Sequence, residues 1–341
     1  MEAVYDLGDF KLQSGVVLPD AKLAYETHGN LNDARDNVIV YPTWACGRHA
    51  DNAPFVGEAM ALDPSQYFIV VPDMFTNGLS SSPSNTSPPF DGPRFPLVTP
   101  YDNVIAQHHV LSRYFKVTRV QLVVGFSMSG QQAFHWGALY PDMVERICSI
   151  CGSAKTSPHN WAYLAGLQAI FEGAAGWDGG ECQTWPPGLL RAIIRIIFTM
   201  ALSQDFFREG EHLRFGGQSF ASTEDFFDAM QAAFLADWRP VDFYKQLSTW
   251  MAADVSAHPK FDGDLDAALD AIRARALVMP CDTDMYFRVA DNEIEVSKMP
   301  NAELKVIQSV WGHCAGFPAM SPDDPAFVDA ALKELLAKSA T

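Results

Sequence analysis

The run Gly125-Phe126-Ser127-Met128-Ser129-Gly130 places a serine between small residues. An apolar stretch precedes it and a helical stretch follows it. A serine on so tight a strand-to-helix turn is held with its hydroxyl exposed, and the backbone N–H of Met128 then faces a developing oxyanion. A hydroxyl is a weak nucleophile until a base takes its proton. In this arrangement the acid and then the histidine follow the serine along the chain. Gly312-His313 lies after the last expected strand, and of nine histidines it alone is so placed. The acid is expected after the strand Ala276–Met279, where Pro280-Cys281-Asp282-Thr283-Asp284 offers Asp282 and Asp284. Either carboxylate would hold the imidazole tautomer and steady the imidazolium. A second oxyanion donor belongs in the loop after an early strand. Here that is Pro42-Thr43-Trp44-Ala45-Cys46-Gly47, with the N–H of Trp44 or Ala45 as candidate. Together these residues predict acyl transfer or hydrolysis through a serine ester, with no cofactor and no metal.

Such a site needs a frame. Short β-rich runs alternate with helical ones, the pattern of a mostly parallel sheet flanked by helices. Strands are predicted at 37–41, 67–71, 120–124, 146–151, 276–279 and 303–307, and helices at 103–115, 131–140 and 325–338. From 157 to 270 the chain is rich in Trp, Phe and Met at helical spacing and shows no clear strand. This predicts an α/β core of residues 1–156 and 271–341 with a helical lid inserted at 157–270. Within the lid, Trp161, Tyr163, Leu164, Phe171 and Trp177 are candidates to line an apolar substrate pocket, with Phe126 beside the serine. The apolar run Ile193–Met200 predicts a face through which two lids pair in a homodimer.

The 341 residues carry 41 acidic against 24 basic side chains, a formal charge of −17. That excess disfavours nucleic acid and anionic membrane as partners. The partner expected is a small-molecule ester. No window approaches the roughly 18 uninterrupted apolar residues that mark a membrane helix, and the first residues lack a basic-then-apolar leader pattern, so a cytoplasmic location is expected. Cys148 and Cys151 spell C-x-x-C within an apolar run, and no second pair stands at zinc spacing. The C-x-x-C pair reads as buried structural thiols, and the six cysteines, scattered along a large chain, do not read as a disulfide framework.

With these residues in hand, the chain resembles the homoserine O-acetyltransferase family of α/β-hydrolase-fold enzymes. The resemblance rests on Ser14-Gly15 with Leu23-Ala24-Tyr25, and Gly29-Asn30-Leu31-Asn32 running into Asn37. It continues through Asn77-Gly78 to Ser82-Pro83, Phe95-Pro96 with Thr99, Asp102, Val104 and Gln107, then Gly125 to Ala133, Tyr140-Pro141 and Gly312-His313. It implies the α/β-hydrolase fold, a lid that often carries a dimer interface, and an acid just before a hydrophobic-aromatic pair. Asp284, before Met285-Tyr286-Phe287, fits that place better than Asp282. Members that acetylate homoserine hold its carboxylate with an arginine on an early lid helix, a task for which lysine is a poor substitute. The matching stretch Asn160–Ile170 has none, and the cation nearest in sequence is Lys155. Phe126 and Ser129 also stand where that family usually has glycines. These departures point to an esterase of the acetyl esterase type. An acyl-CoA-dependent O-acyltransferase is the alternative.

Overall fold

The computed structural model describes residues 1–234, 238–317 and 320–338. Residues 235–237, expected in the lid, and residues 318–319 and 339–341, expected in the core, lie outside that description. Strands β1 (Glu2–Lys11) and β2 (Val17–His28) open the chain, followed by β3 (Val38–Val40), β4 (Phe68–Pro72), β5 (Val120–Phe126), β6 (Arg146–Ile150), β7 (Arg275–Met279) and β8 (Ala302–Leu304). They form one sheet in the order β1-β2-β4-β3-β5-β6-β7-β8. From β4 to β8 all pairings are parallel. The β1–β2 hairpin adds antiparallel strands at one edge. The α/β architecture expected from the sequence is the one the chain adopts.

The helices are α1 (Pro100–His109), α2 (Met128–Leu139), α3 (Pro158–Gly173), α4 (Leu189–Ala201), α5 (Gln204–Arg208), α6 (Thr223–Phe234), α7 (Pro240–Met251), α8 (Leu265–Asp270), α9 (Val289–Ser297) and α10 (Asp324–Ala337). Parallel strands covered on both faces must be apolar on both. The period of two then sorts their side chains. Val38, Val40, Phe68 and Val70 pack with Val104 of α1 and Phe134 and Trp136 of α2. Ile39, Ile69, Leu122 and Val124 pack on the opposite side with Val328 and Leu332 of α10. That second core continues without a break into Leu164, Ile193, Phe198 and Phe243 of the helices between β6 and β7.

The expected elements shift in places. The helix expected at 103–115 begins earlier because Thr99 caps it: Thr99 Oγ1 accepts from Asp102 N–H, and the Asp102 carboxylate accepts from Thr99 N–H. Its regular part ends at His109, and Val110–Tyr114 form a wider π turn. Strand β8 stops at Leu304. Ile307 pairs only with Cys281, in an isolated bridge. The run Ile193–Met200 turns inward, with Ile193, Ile194 and Phe198 buried and Ile196, Ile197 and Met200 packed partly against the core. The outward side of α4 carries Arg191 and Arg195, which pair with Glu224 of α6. Among the described residues no helix is long and apolar enough to cross a membrane.

Candidate active site

Strand β5 ends at Phe126 and α2 begins at Met128, so the whole turn is Ser127. It sits at φ 57° and ψ −126°, a conformation that costs a non-glycine residue energy and survives only where the surroundings fix it. They do so closely. A Cβ on Gly125 would come within 2.2 Å of Ser129 atoms, and one on Gly130 within 2.6 Å of Ser149 Oγ. Ser127 N–H donates to Ile150 O of β6 at 2.9 Å.

Ser127 Oγ lies 2.9 Å from His313 Nε2, and His313 Nδ1 lies 2.9 Å from Asp284 Oδ2. A carboxylate only accepts, so Nδ1 carries the proton and Nε2 is left free to accept from the serine hydroxyl. The other oxygen of Asp284 accepts from the N–H groups of Tyr286 (2.7 Å) and Phe287 (3.2 Å). All three side chains are buried. Rings of Phe126, Tyr286 and Phe287 surround the imidazole at centroid distances of 4.7, 4.9 and 5.5 Å. Gly312 takes φ +59°, and a Cβ there would strike Ala201 O at 2.6 Å. The Gly-His order therefore has a steric reason. Asp282 is exposed and accepts from Ser309 N–H at 3.1 Å. It ties its loop to the histidine loop and does not touch the imidazole. Thr283 does the same, donating to Ser309 O and accepting from Gly312 N–H.

The loop after β3 has most of its backbone donors committed. Thr43 N–H goes to Pro72 O, Gly47 N–H to Trp44 O, Arg48 N–H to Asp51, and Cys46 N–H to Gln246 Oε1 of α7 at 3.0 Å. The N–H groups of Trp44, Ala45 and Met128 have no partner among the described residues. Trp44 and Ala45 line the same cavity as Ser127. Gln132 of α2 donates to Thr43 O at 3.1 Å, which joins this loop to the serine helix. At its far end Asp73 holds His49 through both carboxylate oxygens, at 2.6 Å to Nδ1 and 3.0 Å to the backbone N–H.

The cavity over Ser127 has a volume of about 80 Å³. Its walls are apolar and come from the core (Trp44, Phe126, Tyr286, Phe317) and from the inserted helices (Tyr163, Leu167, Phe198, Trp250). No Lys or Arg lines it among the described residues. Lys155 is turned away and ion-paired with Asp254 at 2.7 Å. Arg48 borders a separate hollow beyond Cys46, with its guanidinium over Trp238.

Of the lid aromatics expected at the pocket, Tyr163 lines it. Trp161 is 52% exposed and takes no part. Helix α3 buries Asn160, Leu164, Leu167 and Phe171, and Trp161 lies about 100° around from Asn160, on the outer side. Leu164, Phe171 and Trp177 are buried but do not line this cavity. Phe171 meets Tyr244 edge-on and Trp177 packs tilted against the same ring inside the helical layer. Sequence reasoning missed Gln132 and Gln246, which hold the loop after β3. Gln132 falls within the stretch that carries the family resemblance. No sequence signal marked Gln246.

A family profile described as alpha/beta hydrolase fold matches residues 38–179. The chain is 36% identical to an ethyl acetate hydrolase of Pseudomonas veronii, over 98% of this chain and 95% of that one. It is 29% identical to a homoserine O-acetyltransferase of Thermobifida fusca, over 96% and 91%. Among solved structures, an acetylester hydrolase of Corynebacterium glutamicum superposes with a TM-score of 0.92 at 33% identity, covering 99% of this chain and 96% of that one.

Proposed function

The chain belongs to the α/β-hydrolase fold family, and within it we propose a serine esterase that cleaves acetyl and similarly short esters of small neutral alcohols. One observation carries this reading: the Ser127–His313–Asp284 hydrogen-bonded chain opens on a small apolar cavity whose described lining holds no cation. In the reaction His313 Nε2 takes the Ser127 proton as Oγ adds to the ester carbonyl. The oxyanion is met by the N–H of Met128 and by that of Trp44 or Ala45. Collapse expels the alcohol, which receives the proton from His313. A water activated by the same imidazole then releases the acid. Asp284 fixes the imidazole tautomer throughout. Phe126 and Tyr163 contact the ester, and the inserted helices act as a lid that keeps bulk water out.

The name of the Pseudomonas relative, an ethyl acetate hydrolase, supports a short acyl group and a small alcohol. Homoserine is a poor acceptor in this cavity. Burying its carboxylate without a partner costs several kcal/mol, and neither Lys155 nor Arg48 lines the site. Water or a neutral alcohol incurs no such cost. We place the protein in the cytoplasm, a reading supported by six cysteines that are all unpaired. We further propose a homodimer through the lid, supported by Trp161 and Pro158, both exposed on the first turn of α3.

The purified protein is expected to hydrolyse p-nitrophenyl acetate and ethyl acetate, and to transfer little or no acetyl from acetyl-CoA to homoserine. A fluorophosphonate should label Ser127, and Ser127→Ala should lower turnover by around 10⁶-fold. A Ser127→Ala enzyme with a tenth of the normal activity, or homoserine acetylation as fast as ester hydrolysis, sinks the proposal.

A further inference from the structure

Trp44 and Ala45 lie on a loop with no helix or strand of its own between β3 and Arg48. The direction of their N–H groups therefore depends on what grips the loop from outside. The core grips Thr43 through Gln132 and the far end through Asp73. At the turn itself Asn77 Nδ2 donates to Gly47 O at 3.3 Å, but among the described residues the one side chain that takes a backbone N–H of the turn comes from the lid: Gln246 Oε1, which accepts from Cys46 N–H at 3.0 Å across 200 residues of sequence.

Gln246 is an odd residue for that place. It is 1% exposed, and its Nε2 is buried without a partner among the described residues. A buried amide donor left unsatisfied costs stability, so a methionine or leucine would pack there at less cost. Nor does α7 need this bond to stay in place. The Asp242 carboxylate accepts from the N–H and the hydroxyl of Ser84, Lys245 donates to Phe95 O, and Thr156 donates to Trp250 O. What the amide alone supplies is an acceptor for Cys46. The neighbours on either side along α7, Phe243 and Leu247, line the substrate cavity.

We propose that Gln246 is the positioning residue of the oxyanion loop: by holding Cys46 N–H it fixes the turn that aims a Trp44 or Ala45 N–H at the carbonyl oxygen on Ser127. The lid thereby takes part in the chemistry without touching the substrate through this side chain. The inference rests on the esterase reading above. A direct oxyanion donor is worth about 10²–10³ in kcat, and a residue acting through one should be worth less.

The test compares Gln246→Met, Gln246→Asn and Gln246→Glu on p-nitrophenyl acetate. Methionine fills the volume with no acceptor, asparagine withdraws the amide by one methylene, and glutamate keeps a carboxyl oxygen in place. Both Gln246→Met and Gln246→Asn should lower kcat by about tenfold or more while KM stays within about threefold. Their affinity for a trifluoromethyl ketone, which forms an oxyanion on Ser127, should fall by the same factor. Gln246→Glu should recover most of kcat. Gln246→Asn decides the matter if the methionine variant does not fold. Normal kcat in both Gln246→Met and Gln246→Asn, or a loss that Gln246→Glu shares in full, overturns the inference. An enzyme that Ser127→Ala does not disable would instead overturn the esterase reading itself.

Discussion

Asp282 and Asp284 stand two positions apart on one loop, and the structure gives them opposite surroundings. Asp284 is 1% exposed and is bonded to His313 and to two backbone N–H groups, whereas Asp282 faces solvent and binds Ser309 N–H. Asp284→Asn should lower kcat by about 10⁴-fold, because an amide there favours the wrong imidazole tautomer. Asp282→Asn keeps its acceptor oxygen and should stay within about threefold of the parent. Steady-state kinetics on a short acetate ester checks both, and a reversed order would hand the role to Asp282. The serine and the histidine stood out in the sequence because the serine turn needs small residues two positions to either side, Gly125 and Ser129, and the histidine follows Gly312, which is held at positive φ. The choice between two aspartates was not legible from spacing alone, since a loop has no fixed period to say which side chain faces inward. Trp161 misled for the opposite reason. It lies on a helix with a regular period, but one apolar residue does not reveal which side of that helix meets the cavity.

Among the elements, the central strands were legible because burial on both faces leaves unbroken apolar runs such as Val120–Val124. Strands β1 and β2 were not. They form the sheet edge, half exposed, and register shifts around Gly8 break the alternation that would betray them. The clamp that ends the loop after β3 was equally hidden, because His49 and Asp73 lie on separate segments. Its hydrogen bond to Asp73 pushes the His49 pKa up to about 9 from 6.5, although burial alone would lower it. The charges of Asp73 and Glu26 and a hydrogen bond to Glu2 add to the rise. A histidine whose folded pKa is raised contributes stability that is full below about 6.5 and lost as the pH climbs through about 9. Thermal melts should therefore show a midpoint that falls from pH 7 to pH 10. His49→Gln should melt lower at pH 7 and fall less over the same range. Parallel curves for the two proteins would show that the clamp carries no such linkage.

For the molecule as a whole, the open question in reach of a simple measurement is assembly. The apolar run Ile193–Met200 turns mostly inward, whereas Trp161 on α3 stands 52% exposed. Light scattering at micromolar protein should give the mass of a dimer, and Trp161→Glu should shift it toward the monomer by burying a charge in the contact. A monomeric mass for the parent protein rejects the lid interface.

The absence of a cation among the described residues around Ser127 has a second side. A neutral ester enters the cavity, but an acid leaves it, and at neutral pH that acid is an anion. Among the described residues the walls offer its carboxylate product no Lys or Arg, and the chain as a whole carries a formal charge of −17. The product therefore binds weakly inside, where it lacks solvation, and the negative field of the chain makes its return less frequent. Added acetate should therefore slow ester hydrolysis little.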